Sequence, residues 1–170
     1  MRLIKYLITS LFCSAIILGF SNMTLAQSKA EILAGDELNR VVPTSFYFAG
    51  QSAETQIRNS AAAKIGQNRF VIVGLVDTSG YSTELQGIYE GFFITDSPVK
   101  IGGKTLNTGA YGFGFAKDKV NIFDLSSKQI LSVKIIEDVE LKRPRPLMMT
   151  SDEKGIRLYK GKSYVLIVAK

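Results

Sequence analysis

The sequence predicts an all-β fold: a single antiparallel β-sandwich or barrel-like domain behind an N-terminal signal peptide. Three observations carry this expectation. Short runs of β-branched and aromatic residues recur from Ser45 onward, separated by turns bearing glycine and aspartate. The stretch from Ala110 to Phe115 alternates aromatic and tiny residues, which on a strand puts Tyr111, Phe113 and Phe115 on one face and Gly112 and Gly114 on the other. Gly102-Gly103 sits between Val99-Lys100-Ile101 and Lys104-Thr105-Leu106, a two-residue hairpin signal because both glycines accept positive φ.

Taken in order, the chain opens with Arg2 and Lys5, then an apolar run from Tyr6 to Phe20, then Thr24-Leu25-Ala26 before Gln27. Positive, apolar, small residue at the cut: this is the plan of a signal peptide, expected over 1–26. The apolar run of about 15 residues is short for a membrane span, which needs about 20. An uncleaved anchor is the alternative. Residues 27–42 are polar without a clear period and read as a tether or a loosely attached edge.

The β-rich domain is expected over 43–170. Ser45-Phe46-Tyr47-Phe48 is a short aromatic strand. Residues 51–66 are ambiguous, since Ala61 to Ala63 would also suit a short helix. Phe70 to Val76 is a continuous apolar run, suited to a strand buried on both faces. Ile88 to Thr95, Val120 to Phe123 and Ile130 to Ile136 read as further strands, and Ile156–Tyr159 with Tyr164–Val168 as the last hairpin. The core is expected on Val71, Val73, Leu75, Phe93, Tyr111, Phe113, Phe115, Ile122 and Leu166.

Several of these stretches resemble a family of uncharacterised secreted bacterial β-domain proteins. They are Leu75-Val76-Asp77-Thr78-Ser79-Gly80-Tyr81-Ser82-Thr83, the I-G-G-K-T-L-N-T-G-A-Y-G-F-G-F of Ile101 to Phe115, Leu141-Lys142-Arg143-Pro144-Arg145-Pro146-Leu147, and Arg157-Leu158-Tyr159. The resemblance implies an exported β-domain. It implies no activity and carries no catalytic residues across.

Composition excludes more than it assigns. There is no histidine, and the single cysteine, Cys13, falls within the signal peptide. Ser-His-Asp triads, Cys-His dyads and zinc or copper sites on Cys or His are therefore ruled out, and no disulfide can staple the exported domain. The formal net charge of +6 becomes +4 once Arg2 and Lys5 leave. That mild excess favours anionic envelope surfaces and gives no reason to expect nucleic acid. No cofactor and no metal are expected, nor a transmembrane span once the leader is removed. Asp124, Glu137, Asp138 and Glu140 lack calcium-loop spacing.

Two groups of residues could carry chemistry or binding. Asp77, with Glu84 or Glu90, could form a carboxylate pair for hydrolysis. Asp77 also precedes Thr78-Ser79-Gly80, where an aspartic protease would place glycine one residue earlier. The bland reading is that Asp77 caps the loop after a core strand. For binding, the candidates are Tyr81 and Ser79 in that loop, with the alternative that Tyr81 folds back to seal the end of the core, and Lys142, Arg143 and Arg145 in a proline-held extended segment. The preferred expectation is a non-enzymatic binding or interaction module, secreted or periplasmic, facing an envelope protein, a polysaccharide or an anionic surface. The alternatives are a hydrolase using Asp77 and a structural envelope subunit.

Overall fold

The structure, a computed structural model, describes residues 29–170. The expected signal peptide lies outside the described residues. Two antiparallel sheets pack as a sandwich. Sheet 1 runs in the order β1 (Glu31–Ile32), β3 (Gln51–Gly66), β4 (Arg69–Val76), β5 (Gly91–Thr95), β8 (Gly109–Ala116), β9 (Lys119–Phe123) and β10 (Gln129–Lys134). A further strand, β2 (Ser45–Phe48), pairs with β3 off this path. Sheet 2 runs β12 (Arg145–Asp152), β13 (Gly155–Gly161), β14 (Ser163–Ala169), β6 (Val99–Ile101) and β7 (Lys104–Leu106), with β11 (Ile136–Glu137) on β14. Two short helices complete the described elements, α1 (Gly35–Val41) and α2 (Thr83–Gln86).

The main core lies between the sheets. Val71 and Val73 of β4, Phe93 of β5, Phe113 of β8 and Ile122 of β9 meet Ile156 and Leu158 of β13 and Val165 and Ile167 of β14. Period-2 alternation does this: each strand sends every second side chain inward. Leu75, Tyr111 and Phe115 are half-buried against this core, as their alternation predicts. Leu166 is a correction. Its neighbours Val165 and Ile167 are the buried pair, and Leu166 points to the other face, because Arg157↔Leu166 and Ile156↔Ile167 fix the register on β13.

Sheet 1 is buried on its second face as well. The β2–β3 hairpin folds back over it, and Phe46 stacks on Phe92 at 5.0 Å between ring centroids while Phe48 stacks on Tyr89 at 4.0 Å. Leu33, Ile72, Val76, Tyr81 and Phe123 join this second core. The glycine face of β8 makes the close approach possible. A Cβ on Gly112 would enter the Phe48 ring, and one on Gly114 would overlap the Ile88 carbonyl. The reading of Phe70 to Val76 as a strand covered on both sides follows from the same arrangement.

Two open readings are decided here. Of the tether and the edge offered for residues 27–42, the edge is what the described part forms: Glu31 and Ile32 pair with Lys64 and Ala63, the Leu33 amide donates to Ala62 O at 2.9 Å, and α1 follows. Its polar composition hides Leu33 and Val42, both buried. Residues 51–66 form one 16-residue strand, with no helix. The first part pairs with β2 and the second with β4, with a register shift between Thr55 and Ser60. Ala62 and Ala63 are fully buried on opposite faces of the sheet, one in each core.

Candidate binding site at the mouth of the sandwich

The loop after β4 behaves as a cap. The Ser79 amide donates to Asp77 Oδ1 at 3.0 Å, an Asx turn that holds the exposed Asp77 carboxyl below its usual range. Ser82 caps α2 by accepting from the Leu85 amide at 3.4 Å. Gln86 Nε2 donates to Tyr81 O at 2.7 Å and closes the loop. Asp77, Ser79 and Gly80 border a small polar hollow of about 180 Å³ together with Gln51 and Glu54.

Tyr81 is a correction. It was expected on a binding surface, but it is 5% exposed and packs in the second core. Its ring meets Tyr89 edge-on at 5.3 Å, and its hydroxyl donates to Gln51 O at 3.2 Å. The β2–β3 hairpin, folded over this face, supplies both the lid and the acceptor. Tyr89 beside it is fully buried, and no described residue forms a hydrogen bond of 3.5 Å or less with its hydroxyl, which has the Tyr81 hydroxyl as a polar neighbour. Burial pushes its titration far up.

The three carboxylates considered for hydrolysis serve separate ends. Asp77 is engaged by Ser79, and Glu84 is exposed on α2. Glu90 ion-pairs with Lys160 and accepts from the Phe115 amide at 2.9 Å. Glu90 thus caps β8 just beyond the Gly91↔Phe113 pairing and ties sheet 1 to β13 of sheet 2. A general acid needs a raised pKa, and Asp77 has a lowered one. Asp124 and Asp138 likewise serve turns: Asp124 Oδ1 accepts from Ser126 and Lys128, and Asp138 from Glu140 and the Tyr159 hydroxyl.

The ends of β4, β8 and β13 and the starts of β12 and β14 meet at one mouth of the sandwich. There they line an open groove of about 590 Å³. Its floor is the edge of the main core: Leu75, Phe115 and Ile135, all half-buried. Pro144 and Pro146 form one wall, and Gly161 and Ser163 lie nearby. Three cations border it: Lys117, Arg145 and Lys160. Lys160 is neutralised by Glu90 and lies 5.7 Å from the Phe115 ring centroid. Lys117, in the β8–β9 turn with φ 54°, and Arg145, at the start of β12, are exposed and form no ion pair with the described residues.

No family model, curated protein or solved structure matches this chain. The functional reading therefore rests on side chains alone. No helix among the described residues is long and apolar enough to cross a membrane.

Of the binding residues expected from sequence, Arg145 lines the mouth groove. Lys142 and Arg143 stand exposed in the bend that leads into it, and Ser79 belongs to the small hollow. Lys117, Lys160, Phe115 and Ile135 were not singled out as binding residues. Their segments are far apart in the chain, and only the closing of the sandwich brings them together. The one local signal was the proline spacing around Arg145.

Proposed function

We propose that this protein is an exported, non-enzymatic binding module of the bacterial envelope that takes an anionic ligand at the mouth of its sandwich. The observation that carries the reading is the pair of unpaired cations, Lys117 and Arg145, over a half-buried apolar floor. Arg40 and Lys64 also line a hollow, but beside Glu31 and Glu37; the mouth groove has no carboxylate among the described residues of its lining, and its low-dielectric walls strengthen attraction for an anion. Export is supported by the Arg2–Ala26 segment. The hydrolase alternative has less support, because Asp77 and Glu90 are each committed to a structural partner.

The test is retention on immobilised dextran sulfate. A variant carrying Lys117→Glu and Arg145→Glu is compared with one carrying Lys100→Glu and Lys128→Glu, two exposed lysines away from the groove. The two variants have equal net charge. Elution of the groove variant at clearly lower salt than its control supports the site. Coincident elution refutes it.

A further inference from the structure

The mouth groove also limits what kind of anion it can hold. Of its three cations only Lys117 and Arg145 are available, since Lys160 is committed to Glu90. The charge on offer, two cations, is enough to hold one anionic group. Pro144 and Pro146 have no N–H, so that wall is poor in donors for sugar hydroxyls. Aromatic rings hold sugars by an open face, but here Lys160 Nζ sits over Phe115. What remains is an apolar lining, Leu75, Phe115 and Ile135, packed against the main core in a groove that Lys117 and Arg145 also border.

We infer that the ligand is a single-chain amphiphile with one anionic head, the head held by Lys117 and Arg145 and the alkyl chain laid on Leu75, Phe115 and Ile135. This rests on the reading of the mouth as the ligand site. Arg145 offers a fork of donors to a carboxylate, and Lys117 adds a second positive charge from the opposite sheet. The chain gains by covering half-buried apolar surface that water now wets.

The experiment is calorimetric titration of the protein with octanoate, decanoate and dodecanoate below micelle-forming concentrations. Dodecyltrimethylammonium is the control of equal chain length and opposite charge. Kd is expected to fall about fourfold per added methylene while the groove still covers it. A Lys117→Gln, Arg145→Gln variant, checked for an unchanged denaturation midpoint, is expected to raise the dodecanoate Kd about tenfold or more. If Kd ignores chain length while dextran sulfate still separates the groove variant from its control, the amphiphile is wrong and the module reading stands. If neither assay responds to Lys117 and Arg145, both fall. If dodecyltrimethylammonium binds as tightly as dodecanoate, the assignment of the head to the two cations is overturned.

Discussion

Replacing Tyr81 separates a core residue from a binding residue. Its ring is 5% exposed and lies beside the stacked Phe48 and Tyr89 rings, at 6.4 and 5.3 Å between centroids. Truncating a buried aromatic to alanine removes transfer energy and leaves a cavity, about 3–5 kcal/mol together. The hydroxyl adds a smaller part. Tyr81→Phe deletes the bond to Gln51 O and costs about 1 kcal/mol. For a domain of this size each kcal/mol moves Tm by about 2–4 °C. Tyr81→Ala is thus expected to melt roughly 10 °C early and Tyr81→Phe only a few degrees early. Urea titration checks the same ordering, with the midpoint falling and the slope unchanged. A Tyr81→Ala protein with the parent's midpoint would mean that the ring is outside the core and that the β2–β3 hairpin does not cover it.

Three further outcomes follow from the same packing. Tyr89→Phe is expected to leave the urea midpoint unchanged or raise it, because the buried hydroxyl it removes has no hydrogen-bond partner among the described residues; a loss above about 1 kcal/mol would show that the hydroxyl is satisfied after all. Gly114→Ala is expected to abolish stable folding or shift Tm more than Tyr81→Ala, since its Cβ would overlap the Ile88 carbonyl and backbone must move; a soluble variant with the parent's Tm would refute that contact. The urea midpoint should be level across about pH 5–9, as the chain has no histidine. Below that range it should fall: amide or hydroxyl donors hold Asp77, Asp124 and Asp152 beneath 3.8, so their contribution is present above the unfolded value and lost as pH drops through the folded one. Above about pH 10 it should fall again, because burial raises Tyr81, Tyr89, Tyr111 and Tyr159 over 10.0 and favours their neutral form in the folded state. A step near pH 7 would contradict this assignment.

How far the sequence could be read depended on whether one strand's pattern had one cause. Ala110 to Phe115 was legible because its aromatic face meets the main core and its glycine face meets a close neighbour. Gly102-Gly103 was legible because its turn needs positive φ at both residues, and they have 52° and 84°. Residues 51–66 were not, because that strand has two environments: a two-stranded ribbon with β2 first, then a place in sheet 1 where Ala61 to Ala63 are buried on both faces. Tyr81 was misplaced for a related reason. A glycine-flanked loop suggests an exposed ring, and the cover over it comes from Ser45–Gln51, some 30 residues earlier. Leu166 failed on phase alone, in a run where Val165 to Val168 are all apolar. The mouth groove draws its lining from segments between Leu75 and Ser163, so only Arg145, marked by its flanking prolines, could be picked out beforehand.

The position of β14 has a consequence for the order of events during folding. It is the last described strand along the chain, yet it sits in the middle of sheet 2, with β13 on one side and β6 on the other. The Val99–Leu106 hairpin, made some sixty residues earlier, has no ladder neighbour in that sheet until Ser163–Ala169 arrives. A chain that emerges N-terminus first must therefore hold the apolar faces of Val99, Ile101 and Leu106 without their sheet neighbour for most of the synthesis that follows the hairpin. Closing that gap is a long-range step of the kind that slows β-proteins. The second sheet should consequently close late, and a chain stopped short of residue 163 should lack the strand that joins the β12–β13 hairpin to the Val99–Leu106 hairpin.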